Sequence, residues 1–166
     1  MKTLEHQFNN IYNANYGKVF RLCMGYFNGN EVMAKDITQE VFVKVWQNME
    51  SFRNQSKVST WVYRITVNTC LSQIRSVKKE RTVDAFPRDV SSPETVSSVD
   101  YETQLRDLYN CINKLNKTNK AIILLELEDV PQKEIASVMG ISHQALRTRI
   151  NRIKSSLTKC VKENGL

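Results

Sequence analysis

Residues 132–154 read QKEIASVMGISHQALRTRINRIK, and the fold turns on how that stretch divides. Ile135 and Ala136 fall on a first helix, Gly140 permits a sharp turn, and Ser142 stands where an N-cap would open a second helix. A small residue, a glycine four positions on, and apolar Ile141 and Leu146 at fixed offsets give the spacing of a helix-turn-helix, because two helices must cross closely around that turn. At about 100° per residue, Leu146, Ile150, Ile153 and Leu157 share one stripe that should face a core, with Gln144, Arg147, Thr148 and Asn151 opposite. Such side chains near the start of a recognition helix reach base edges in a major groove: arginine to guanine, glutamine or asparagine to adenine. Arg149, Arg152 and Lys154 flank the stripe where phosphates would run. His143, beside the cap and without a second ligand, fits a phosphate or base neighbour better than a metal ligand. The alternative, a solvated face of an ordinary bundle, explains neither the turn spacing nor the polar chemistry.

The rest of the chain must be consistent with that module. Its 166 residues, 41% hydrophobic, suffice for one ordinary domain or two small ones. The formal charge of +7 favours polyanionic partners, and its distribution says more than its size. Residues 1–86 carry +5, residues 87–104 carry −3, and residues 105–166 carry +5. Two basic blocks around an acidic strip suggest two polyanion-facing lobes and a joining segment that avoids the same surface. Cys23, Cys70, Cys111 and Cys160 are widely spaced, with no CxxC pair and only His6 and His143 beside them. That argues against a zinc site or a disulfide framework and for reduced, mainly buried thiols in a cytoplasmic protein. The start, MKTLEHQFNNIY, has no apolar signal core, and no apolar run approaches the roughly 18 residues needed to span a bilayer. Neither export nor membrane insertion is expected.

Five glycines, three prolines and few alternating patterns predict an all-α protein. Residues 4–27 read as one or two amphipathic helices ending near Asn28-Gly29-Asn30, followed by a helix from about Glu31 to Met49 with Ile37, Val41, Phe42, Val45 and Trp46 at helical spacing. After the polar loop FRNQSKVS, a long helix is expected from about Thr60 to Lys79. Residues 82–104, TVDAFPRDVSSPETVSSVDYETQ, hold two of the three prolines and little apolar content, and read as a linker. Leu105, Leu108, Ile112 and Leu115 mark a further helix, and AIILLELE a short, strongly apolar one. The expected architecture is two small helical domains, 1–81 and 105–166, joined by 82–104.

The long helix TWVYRITVNTCLSQIRSVKKER has an apolar side of Tyr63, Val67, Cys70, Ile74 and Val77. Trp61, Arg64, Asn68, Ser72, Arg75 and Lys79 align opposite, at steps of three or four. A tryptophan leading a basic stripe fits nucleic-acid binding, where aromatics stack on bases and cations follow phosphates. The plainer reading makes Trp61 a core residue and the arginines solvated. Phe52 and the loop beside it would complete a pocket for an unstacked base, which Asn68 could read. On the preceding helix, Asp36, Gln39, Glu40, Val43 and Gln47 form a mixed, modestly acidic face better suited to a protein partner than to DNA, with Phe42 expected in the core.

Taken together, AKDITQEVFVKVWQNMESF, STWVYRITVNTCLSQIR, an acidic linker and EIASVMGISHQALRTRINRIKSSL resemble bacterial RNA polymerase sigma factors of the extracytoplasmic-function group of the sigma-70 family. The resemblance covers nearly the whole chain, with residues 8–80 similar to region 2 and 105–162 similar to region 4. It implies that Asp36, Gln39, Glu40 and Val43 belong to the surface that binds the polymerase clamp helices, with the flap region as a second contact. It implies that Phe52, Trp61, Arg64, Asn68, Arg75 and Lys79 meet the −10 element, Asn68 and the loop Phe52–Ser59 holding an extruded base. Likewise His143, Gln144, Arg147, Thr148, Asn151, Arg152 and Lys154 would meet the −35 element. An anti-sigma factor is an implied further partner. The sequence departs from the family at Lys35, where an acid is usual, at Val58, where an aromatic commonly precedes the Thr-Trp pair, and at Asn116, where a proline commonly follows Leu115. Val58 bears on the base pocket, Asn116 only on a helix start.

No nucleophile–base pair, phosphate loop or metal cluster is visible in the sequence, so a non-enzymatic promoter-specificity subunit without cofactors is expected. It would bind double-stranded and melted promoter DNA, weakly when free and selectively once polymerase holds both lobes near their sites. Two rivals are weighed. A dimeric helix-turn-helix repressor would need palindromic sites and would leave the Trp61–Lys79 stripe idle. A sigma-mimic interaction module would support no transcription with core polymerase.

Overall fold

The computed structural model describes residues 2–80 and 99–164. Among these, seven α-helices and one 3₁₀ turn account for the regular structure, without a strand: α1 Lys2–Tyr26, α2 Glu31–Asn48, α3 Val58–Glu80, α4 Val99–Asn113, α5 Lys117–Leu127, α6 Gln132–Met139 and α7 His143–Asn164, with the 3₁₀ turn Met49–Ser51 after α2. The all-α expectation holds. Helix α3 starts two residues earlier than its apolar pattern suggested. Six residues read as linker, 99–104, are the first turns of α4; the rest of that segment lies outside the described residues, residue 81 with it.

Helices α1–α3 pack on one another through Val19, Leu22 and Cys23 of α1, Ile37, Val41 and Val45 of α2, and Val62, Val67 and Cys70 of α3, all buried. Phe42 is buried as expected, whereas Trp46 is 41% exposed. Asn28 (φ 57°) and Gly29 (φ 78°) turn the chain after α1, and Asn30 accepts a hydrogen bond from the Met33 amide to start α2. Thr66 and Thr69, buried on α3, donate to the carbonyls of Val62 and Ile65, so their hydroxyls cost the core little.

The second lobe is built around α5. Ala121 to Leu125 are buried in an unbroken run because the helix touches α1, α4, α6 and α7, leaving no face for water. Asn116, where a proline was the family's habit, caps α5 by accepting the Asn119 amide at 2.8 Å. Helices α6 and α7 form the helix-turn-helix: Gly140 adopts φ 70°, and Ser142 Oγ accepts the Ala145 amide at 3.1 Å. Leu146, Ile150, Ile153 and Leu157 are buried on one stripe, as their spacing required.

The cysteines correct the sequence reading. Cys111 of α4 and Cys160 of α7 are joined in a disulfide, 49 residues apart in the chain and 6.0 Å apart at their Cα atoms. Chain separation argued against a framework, but it says nothing about where two helices meet. Cys23 and Cys70 remain free and buried, with sulfurs 3.9 Å apart between α1 and α3.

Candidate nucleic-acid interface

On α7, the dipole and the missing hydrogen-bond partners of the first turn favour anions at His143, which is half-buried, and the exposed Gln144. Arg147, Thr148, Asn151 and Arg152 are exposed along the same helix, backed by the Leu146–Leu157 stripe that fixes its roll. Thr148 donates to the Gln144 carbonyl. Lys154 is also exposed and pairs with Glu126 of α5 at 3.3 Å.

On the first lobe, Phe52 and Trp61 stack on each other with ring centroids 4.6 Å apart and planes 25° from parallel. Trp61 is thus neither a core residue nor a solvated one; it is half-buried against the loop. The pair forms one wall of a cleft of about 370 Å³ whose other walls are Met49, Asn54 and Val58, together with Gln7, Asn10 and Ile11 of α1. Val58 therefore lines the cleft, supplying an aliphatic wall where an aromatic was usual. Gln7 and Asn10 escaped the sequence reading. The signal was present, since they flank Phe8 and Ile11 on the apolar side of α1, but nothing in the sequence shows which loop α1 faces. Asn68 is exposed two turns further along α3, about 10 Å from Trp61 at 1.5 Å per residue, and does not line this cleft. Arg75 is exposed beyond it; the side chain of Lys79 lies outside the described residues.

In the free chain Arg64 contacts the second lobe. Its guanidinium donates to the carbonyl and hydroxyl of Ser137 on α6, at 3.1 and 3.2 Å. Lys57 pairs with Glu134 at 2.9 Å and Arg21 with Glu128 at 2.8 Å, so basic groups of the first lobe meet acids of the second. Behind these exposed pairs lies a closer fit. Lys120 of α5, 8% exposed, donates to the Tyr26 carbonyl at 2.9 Å and to Asn28 Oδ1 at 3.1 Å, with its ammonium 5.5 Å from the Tyr26 ring centroid. Burial lowers the Lys120 pKa and raises that of the Tyr26 phenol, which donates to the Lys117 carbonyl. Gly25 lies against Leu124 so closely that a Cβ there would come within 2.6 Å of a leucine methyl.

On α2, Asp36, Gln39, Glu40 and Val43 are all exposed. Gln39 and Val43 edge a groove of about 580 Å³ floored by Phe8, Tyr12, Tyr16, Phe42 and Trp46. Glu40 instead pairs with Lys44 at 3.0 Å. The aromatic floor, contributed by α1 as much as by α2, was not legible from the α2 pattern alone.

The family models described as "Sigma-70 region 2" and "Sigma-70, region 4" match residues 11–80 and 105–157. The ECF RNA polymerase sigma-E factor of Haemophilus influenzae is 30% identical over 165 residues, spanning 90% of this chain and 85% of its own. The ECF RNA polymerase sigma factor SigW of Bacillus subtilis is 28% identical, spanning 88% and 84%. The fold is shared with the sigma factor RpoE of Bartonella quintana, solved in complex with the anti-sigma factor NepR (TM-score 0.69, 23% identity, 98% of each chain). It is shared also with CnrH in complex with the cytosolic domain of CnrY (TM-score 0.72, 19% identity, 96% and 90%). Two matched regions in the right order, and relatives alike over most of their length, make this chain a member of the extracytoplasmic-function group of the sigma-70 family, an RNA polymerase sigma factor.

Proposed function

We propose that the protein directs core RNA polymerase, in the cytoplasm, to promoters read at two places: α7 in the major groove of a −35 element and the Phe52–Trp61 cleft at a melted −10 element. The observation that carries this reading is the presence on one chain of an exposed Gln144–Arg147–Asn151 face and an aromatic-walled cleft beside a basic helix. Base stacking is worth roughly 1–3 kcal/mol per base, comparable with the few kcal/mol needed to flip one out. Captured bases would therefore pull the duplex open without an energy source. The α2 face with its aromatic groove is the surface for the clamp helices, and α5–α7 carry the flap contact. An anti-sigma factor, of the kind bound by the structural neighbours, would block one or more of these faces. The domain limits follow the same division, 1–81 and, so that α4 stays whole, 99–166 in place of 105–166.

The contact of Arg64 with Ser137 favours a closed free form that must open before both lobes can lie on promoter DNA. Run-off transcription with purified core polymerase on genomic fragments tests the proposal. Discrete transcripts that need this protein support it; failure to associate with core enzyme overturns it.

A further inference from the structure

We propose that Cys111 and Cys160 form a reversible thiol–disulfide site through which the surrounding thiol pool sets how firmly α4 is held to α7. The inference rests on the sigma reading in one respect. A polymerase subunit works among reduced small thiols, where a protein disulfide is typically transient or redox-sensing. The bond sits where it matters mechanically. Among the described residues of α4, only Cys111 and Ile112 are buried, while Leu105 is 41% and Tyr109 39% exposed. Its fully buried side chains thus lie in one turn, with Leu108 half-buried a turn earlier, and the bond lies in that buried turn. It also closes a loop of 49 residues containing α5, α6 and most of α7, so it restrains the whole lobe. Because α4 leads from the linker into this lobe, its attachment decides where the tether pulls on the −35 helix.

The chemistry needs a small-molecule disulfide as oxidant. Cys160 is half-buried and Cys111 2% exposed, so the Cys160 thiolate is the sulfur that attacks first. Its attack breaks the small disulfide, releases one small thiol and leaves a mixed disulfide. The Cys111 thiolate then displaces the second small thiol and forms the Cys111–Cys160 bond. Two electrons and the two cysteine protons end on the two small thiols, and excess small thiol reverses both steps. Asn164 Nδ2 lies 3.4 Å from Cys111 Sγ and 3.8 Å from Cys160 Sγ, a polar neighbour beside the bond. Cys23 and Cys70 provide an internal control, since both are enclosed between α1 and α3.

The full-length protein is equilibrated in glutathione and glutathione disulfide mixtures, quenched by alkylation and read peptide by peptide by mass spectrometry. Cys111 and Cys160 should titrate together as one two-electron couple, while Cys23 and Cys70 stay reduced. Hydrogen exchange over residues 99–113 should be faster in the reduced form by on the order of tenfold or more. Cys160→Ser should show the fast exchange at every ratio. Cys111 and Cys160 remaining alkylatable in pure disulfide, or α4 exchanging equally in both forms, overturns the proposal. Run-off transcription with both forms separates the two readings. Initiation from neither counts against the promoter assignment, not the switch, which alkylation and exchange decide by themselves.

Discussion

Phe52 and Trp61 already occupy each other's faces, so under the proposed −10 role a base would have to add to their stack or replace one partner. Trp61→Ala removes the larger platform. With stacking worth about 1–3 kcal/mol per base, open-complex formation should fall by roughly 5- to 150-fold while binding to core enzyme is retained; 2-aminopurine fluorescence at the −10 element reads the first and co-migration the second. Arg147→Ala should cost about 1–3 kcal/mol at one −35 position, seen as relaxed preference there in a promoter library. Unchanged preference would remove Arg147 from the reading face. At this scale the sequence was informative wherever a side chain's role depends on its own helix. The exposed Gln144, Arg147 and Asn151 follow from the buried Leu146–Leu157 stripe. It was silent on Arg64, whose partner Ser137 is 73 residues away, and on Lys120, a cation inside an apolar run whose acceptors belong to another lobe.

Among the elements, α6 and α7 were legible because glycine and serine punctuate them chemically. The αL conformation of Gly140 and the cap of Ser142 are requirements of a turn, not of its surroundings. Ser142→Ala should lower the stability of the second lobe by about 1 kcal/mol, measured by thermal unfolding, and, under the proposed −35 role, should weaken promoter binding because the start of α7 frays. Asn116→Ala should cost a similar amount, about 1 kcal/mol, without affecting DNA contacts, since α5 presents no reading face. Helix α4 was only half legible. Its first residues, rich in polar side chains, carry no apolar period, and their helical state shows only once the chain is folded.

For the molecule as a whole, the lobes meet where α1 packs on α5 and α3 on α6, with two ion pairs between them, and the proposed promoter binding would require this contact to open. The pairs Arg21–Glu128 and Lys57–Glu134, each with one well-exposed partner, contribute little, about 0–1 kcal/mol apiece. Lys120 is different, because separating the lobes restores water to its ammonium while breaking two hydrogen bonds. Lys120→Met should keep the stem packed yet leave the Tyr26 carbonyl and Asn28 amide oxygen unpaired on closure. Small-angle scattering should then show a larger radius of gyration; an unchanged radius would mean that the apolar contact alone sets the balance. None of this was readable from the chain, since no local pattern records which face of α1 meets α5. Gly25 shows how finely that meeting is adjusted. Replacing its hydrogen by a single methyl would favour α1 by about 1 kcal/mol through helix propensity while pressing on Leu124. The same atom would stiffen one lobe while obliging Leu124 to move on the other, so helix strength and lobe contact are traded against each other at a single position.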